Sequence, residues 1–228
     1  GSVAMQQASA EKSPILPEQF PAPPIDQFMY LVRVLHDAQG RCVVTFAGQV
    51  DAERMARAVH LTLDAEPVLG CRFVEHPRWP HWERRDDLDR TPPCPVVEPP
   101  DLESALWQFM AAPVDPCADP QLQARLFRSD RDTLCIRINH MVADAGGTMD
   151  YVSLLARTYR ELSLDPTYRP QPNLRGSRGQ GQVLRRFGLR SLLRACYHFS
   201  YPRSAWGFPV TSRDFSGRSF AIRRIGPE

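Results

Sequence analysis

Six residues of strict alternation, Leu134-Cys135-Ile136-Arg137-Ile138-Asn139, run straight into His140, and this junction constrains the chain more than any other feature. Leu134, Ile136 and Ile138 recur at period 2, the pattern of a strand with one face toward a core. The same parity is expected to carry His140 inward. Asp144 follows four residues later, and Gly146-Gly147 then permit a tight turn or a close approach of backbone. Val152, Leu155, Ala156, Tyr159 and Leu162 next share one face of a helix. The histidine is therefore expected on a strand-to-helix turn, where a rigid scaffold can present a reactive side chain.

Chemistry suits an imidazole at such a turn. With an ordinary pKa of about 6.5, a neutral ring can take a proton and return it near physiological pH. Removing a proton from a hydroxyl or amine while that atom attacks a carbonyl is its natural task. Asp144 could hold an arginine or fix the turn itself. The plainer alternative is a hydrogen-bonded core histidine followed by a helix-capping aspartate. One His with one Asp does not decide between them.

The rest of the chain reads as α/β. Residues 1–24 hold five prolines and are expected as a flexible leader. A helix or extended entry is expected near Asp26 to Leu35, and a strand at Arg41 to Gln49. Asp51 should cap a helix whose Met55, Ala58, Val59 and Leu63 share a face. Strands follow near Gly70 to Glu75 and His81 to Arg85, the second pinned by Trp79 and Trp82. Thr91 to Pro100 is proline-rich and expected to be irregular. Asp101 opens a helix with Leu102, Ala105, Leu106 and Phe109 as its stripe. Strands at Gln121 to Arg128 and Asp132 to Asn139 are joined through a Ser129-Asp130-Arg131 hairpin turn.

With 228 residues and 43% hydrophobic content, the chain can bury a sizeable core. No apolar run approaches the roughly 18 residues that span a bilayer, so membrane contact is not expected. Six cysteines, at 42, 71, 94, 117, 135 and 196, form no C-x-x-C pair and no His/Cys cluster at metal spacing. Reduced buried thiols in a cytoplasmic setting, with no metal, are the expectation. The net charge of +2 hides an asymmetry: residues 168–228 carry +10 and the first 167 carry −8. A basic tail invites an anionic partner. It contains a candidate helix, Val183 to Phe199. Zinc-finger spacing, RNP-type strands and helix-turn-helix signals are missing, so nucleic acid is not expected. The chain has one lysine, Lys12, against 27 arginines, which looks like codon bias.

From about Ile25 onward the sequence resembles the first half of the chloramphenicol-acetyltransferase-like superfamily, which includes peptide-synthetase condensation domains and polyketide- and lipid-ester acyltransferases. The family signature is His-His-x-x-x-Asp-Gly, and Asn139-His140-Met141-Val142-Ala143-Asp144-Ala145 is similar to it at the second His and the Asp. Glu66-Pro67-Val68-Leu69-Gly70-Cys71-Arg72-Phe73 resembles the family's His-Pro-x-Leu-Arg-x-x-Phe element, and Pro113-Val114-Asp115-Pro116 its Pro-Leu-Asp turn. Asn139 and Ala145 replace the first His and the Gly. Gly70 stands where relatives carry an arginine that pairs with the motif aspartate. Arg72, on the same face of that strand, is the candidate to replace it.

The resemblance implies an α/β fold, a chloramphenicol-acetyltransferase-like lobe with a mixed, mostly antiparallel sheet flanked by helices. It implies a lobe at residues 25–165, and a basic Pro/Arg-rich connection at 166–228 leading toward a second lobe as partner. It implies His140 and Asp144 as catalytic residues, with Asn139, Gly146 and Gly147 at the substrate. The implied donor is an acyl thioester on coenzyme A or on the phosphopantetheine of a carrier protein, with no bound cofactor, and the acceptor is an alcohol or amine. Two other readings stay open: a non-catalytic module that docks a carrier or partner enzyme, and a single-lobed acetyltransferase that completes its site by self-assembly. Against the last, 88 residues follow His140, whereas chloramphenicol acetyltransferase places its histidine close to the carboxyl end.

Overall fold

The computed structural model describes residues 16–33 and 39–174, together with Gly188, Arg190, Ser191, Leu193, Arg194 and Tyr197. In chain order its elements are β1 (Gln19–Pro21), α1 (Pro24–Val32), β2 (Gln39–Thr45), α2 (Ala52–Ala65), a 3-10 turn (Pro67–Gly70), β3 (Cys71–Val74), β4 (His81–Arg84), β5 (Val96–Val97), α3 (Leu102–Ala111), β6 (Leu122–Phe127), β7 (Thr133–Asn139) and α4 (Ala145–Leu164). Two sheets form, one ordered β1-β4-β3 and the other β2-β7-β6-β5. Every described pairing is antiparallel except β5 on β6. The fold is thus α/β with mixed, mostly antiparallel sheets flanked by helices. No described helix is long and apolar enough to cross a membrane.

Helix starts follow the polar residues that precede each apolar stripe. Asp51 accepts the Arg54 N–H and caps α2, while Asp101 accepts the Ser104 N–H and caps α3. Met55, Ala58, Val59 and Leu63 of α2 are all buried. With α4 they cover one face of the larger sheet, where Leu122, Ala124, Leu126, Leu134, Ile136 and Ile138 converge. On the other face, Phe109 and Met110 of α3 pack against Phe127 and Cys135. Strand β7 lies between β2 and β6 and is buried at all seven residues, because helices cover both of its faces. In the smaller sheet, Phe73 stacks on Tyr30 and meets Trp82 edge-on, and Trp82 donates its ring N–H to buried Asp26 at 2.8 Å.

Some expectations are corrected. Residues 19–21, expected in a flexible leader, form β1 on the edge of the smaller sheet. An edge strand tolerates prolines because only one side of its backbone must pair. Trp79 does not pin its strand; it is 75% exposed at a hairpin tip, and Trp82 alone is buried. On α4 the buried line is Thr148, Tyr151, Leu155, Thr158 and Leu162, while Ala156 faces solvent. Hydrophobicity pointed one step off because three of those five buried residues carry hydroxyls. Within the expected irregular stretch 91–100, Val96–Val97 pairs with β6. The sequence-predicted helix 183–199 is described at six residues, all helical, and the remainder of 175–228 lies outside the described residues.

The five described cysteines are free thiols. Burial pushes Cys71, Cys94 and Cys135 up to about 12.

Candidate active site

Strand β7 ends at Asn139, and Asn139 builds the turn that follows. Its side-chain amide donates to Gln121 Oε1 at 3.0 Å, and its Oδ1 accepts the Met141 N–H at 3.0 Å. Its carbonyl accepts the N–H groups of Val142 and Ala143. Gln121 is buried and cannot readily reverse its amide, because its Nε2 already donates to the carbonyls of Pro116 and Asp119. The turn is therefore clamped from one buried side chain.

That clamp overrides strand parity at His140. Had the strand continued, the ring would have followed Ile138 into the core. The turn begins at His140 instead and leaves it exposed, without a hydrogen bond or ion pair among the described residues. Expected inward, the histidine is found facing outward on a rigid support.

Asp144 is the N-cap of α4. Its Oδ1 accepts the Gly147 N–H at 2.8 Å, and its main-chain oxygen accepts both the N–H and the hydroxyl of Thr148. No arginine reaches it among the described residues. Arg72, expected as the substitute for the arginine missing at position 70, donates from Nε to Glu83 at 2.8 Å on the neighbouring strand. The space beside Gly70 is filled from elsewhere: a side-chain carbon added there would lie 3.2 Å from Arg84 Nη1 and 3.0 Å from Leu88 Cδ1. Arg84 in turn pairs with Asp64. Strand geometry explains the difference, since Arg72 and Glu83 are directly opposed in the β3–β4 ladder and meet across it.

A cavity of about 520 Å³ lies between the 3-10 turn and α4. Ile138, Val142, Ala143 and Gly147 form part of its wall, with Glu66 and Arg157 among its charged groups. His140, Asp144, Asn139 and Gly146 are not in that wall. Gly147 is thus the one expected substrate-side residue that borders this space. Gly146 sits in the exposed first turn of α4, and Asn139 is buried within the clamp. Gly40 of β2 was not anticipated at the site. It passes beneath the start of α4, where an added side-chain carbon would stand 2.7 Å from Thr148 Oγ1. A glycine inside a strand pattern is the sequence signal for such an approach. Gln121 had no comparable signal. Among the described residues, no group of three or more His, Cys, Asp or Glu side chains is placed to hold a metal ion.

Comparison with protein families and with curated sequences finds no match. Solved structures do match. The first condensation domain of the calcium-dependent antibiotic synthetase, in complex with a substrate analogue, superimposes with a TM-score of 0.62 at 19% identity, covering 84% of this chain and 51% of that one. This chain has the chloramphenicol-acetyltransferase-like fold. A variant starter condensation domain of rhizomide synthetase, in complex with C8-CoA, matches with a TM-score of 0.59 at 14% identity, covering 78% of this chain and 44% of that one. The X-domain from teicoplanin biosynthesis matches with a TM-score of 0.55 at 18% identity, over 70% of this chain and 36% of that one. The chain spans about a third to a half of the length of these structures, as one lobe of such a fold would.

Proposed function

We propose that this chain is the histidine-bearing half of an acyltransferase or condensation-type domain, acting with a second lobe on a thioester of coenzyme A or of a carrier protein in the cytoplasm. The observation that carries the reading is the exposed ring of His140, held on the clamped turn at the end of β7. The neutral ring nitrogen would take the proton from an acceptor alcohol or amine as that heteroatom bonds to the thioester carbonyl carbon. Collapse of the tetrahedral intermediate breaks the C–S bond, and the imidazolium returns its proton to the departing thiolate. The histidine acts as a base throughout, so no acyl-enzyme forms. Asp144 contributes by fixing the turn and the first turn of α4, and the Gly147 backbone at the cavity wall leaves room for substrate. The comparisons support this reading through solved relatives of the fold that carry C8-CoA or a substrate analogue.

Replacing His140 by alanine in the full-length protein and assaying ester or amide formation from acyl-CoA or acyl-carrier donors tests it. Loss of about two to four orders of magnitude in rate is expected. Undiminished turnover would remove the base assignment.

A second reading is a non-catalytic docking module. The features that favour it are the capping role of Asp144, without an arginine partner among the described residues, and the engagement of Arg72 with Glu83. A structure similar to this chain, the X-domain from teicoplanin biosynthesis, was solved in complex with OxyB. The same assay separates the two, since a docking module would show no transfer activity for His140 to support.

A further inference from the structure

We propose that the open edge of β6 at Leu122–Ala124 is a strand-docking site for an extended peptide that alternates apolar and acidic residues. The site stands apart from His140 and does not depend on the catalytic reading.

Strand β5 pairs with β6 only at Val96 and Val97. There the Leu126 N–H donates to the Pro95 carbonyl and the Arg128 N–H to the Val97 carbonyl, so Leu126 and Arg128 direct their backbone groups away from β7. Main-chain groups repeat direction every second residue, so those of Ala124 and Leu122 point the same way. No described residue bonds them. The chain ahead of β5 runs Pro92-Pro93-Cys94-Pro95, and prolines have no N–H to offer a neighbouring strand. Both residues are nevertheless buried, Ala124 at 4% and Leu122 at 5% exposure, where unpaired backbone is costly.

A cavity of about 200 Å³ lies along this edge and is bordered by Pro92 and Pro93. It reaches both faces of the sheet. On one side Val59 and Leu63 line it, on the other Phe109 and Arg125. Arg125 stacks its guanidinium 4.6 Å above the Phe109 ring, and its Nε is buried without a hydrogen-bond partner. Arg137 lies over the same ring at 4.4 Å but is outside the cavity wall, and it donates to the Ala112 carbonyl and to Gln123 Oε1. The Arg125 guanidinium therefore carries the positive charge at this edge that an acidic side chain would neutralise. The other cation on the cavity, Arg85, is already paired with Asp87. A strand laid in the open position would pair its backbone with Ala124 and Leu122. Its successive side chains would fall alternately on Val59 and Leu63 and toward Arg125, which sets the apolar–acidic alternation.

The probe is acetyl-Val-Glu-Val-Glu-Val-amide, titrated into the full chain by isotope-edited NMR. Binding with shifts at the Ala124 and Leu122 amides is expected. Replacing both Glu by Lys, N-methylating the central peptide nitrogens, or introducing Arg125→Gln into the protein should each weaken binding by about tenfold or more. Because two of these changes are made in the peptide, folding of a variant does not enter. No binding at millimolar peptide would overturn the proposal, as would equal affinity for the Glu and Lys peptides or for the N-methylated one. A dimer of the chain that the peptide dissociates would also overturn it, by assigning this edge to a second copy.

Discussion

Asn139 and Gln121 hold each other through a 3.0 Å amide-to-amide hydrogen bond inside the protein, and that bond fixes where β7 stops. Removing the Asn139 side chain takes away the donor to Gln121 Oε1, on a buried residue, and an acceptor of the Met141 N–H. Asn139→Ala should therefore cost about 1–3 kcal/mol of folding stability. Asn139→Asp should fall between, since it keeps an acceptor for Met141 but sets a carboxylate against the Gln121 oxygen. Chemical denaturation of the three proteins checks the order. If alanine is neutral, the clamp does not hold the turn.

The role of Asp144 separates by substitution. As the N-cap of α4, Asp144→Ala should lose about 1 kcal/mol, whereas Asp144→Asn, which keeps an acceptor for the Gly147 N–H, should lose little. Transfer activity, under the proposed function, should follow the same order, because the turn that bears His140 leads directly into this cap. An asparagine variant as unstable as the alanine one would show that the cap is not what Asp144 supplies.

Much of this framework was legible in the sequence. Asp51 and Asp101 precede apolar stripes at helical spacing, and both cap as that pattern implies. The alternation in 134–139 located β7, since side-chain parity holds for as long as the ladder does. Parity could not show where the ladder ends, and the position of His140 was misjudged for that reason: the clamp depends on Gln121, eighteen residues away in sequence. Arg72 was offered to Asp144 because it lies two residues from Gly70, on what was expected to be the same strand face, yet its partner is set by the β3–β4 register. Strands β1 and β5 escaped notice because three and two residues carry no readable period. Thr148, Tyr151 and Thr158 were missed as buried because hydroxyl-bearing residues look like surface in a hydrophobic pattern.

Gly40 and Thr148 are predicted to be energetically coupled. A side-chain carbon at position 40 would overlap Thr148 Oγ1, and that hydroxyl cannot swing aside without breaking its bond to the Asp144 carbonyl. Gly40→Ala should destabilise by about 1–3 kcal/mol through overpacking. Adding Thr148→Ala removes the clashing atom, so the double variant should be more stable than the sum of the single effects predicts. Strict additivity in a double-mutant cycle would show that β2 and α4 are not in this close contact.

Acid sensitivity should originate in part at Asp132, which is fully buried where the hairpin between β6 and β7 meets the segment after β2. Burial alone would raise its carboxyl group. The ion pair and hydrogen bonds from Arg128, together with the Val50 N–H, outweigh burial and hold it below the usual carboxylate range. A group that is more acidic in the folded chain than in the unfolded one favours folding while both states are ionised. Its contribution is therefore complete above the ordinary carboxylate pKa of about 4 and fades as pH falls through the lower folded value. Asp132→Asn should cost about 1–3 kcal/mol at pH 7 through weakened bonds to Arg128 and Val50. It should also flatten the loss of stability between pH 5 and pH 2 relative to the native sequence. Denaturation midpoints across that range decide the matter: parallel curves for the two proteins would mean that Asp132 titrates alike in the folded and unfolded chains.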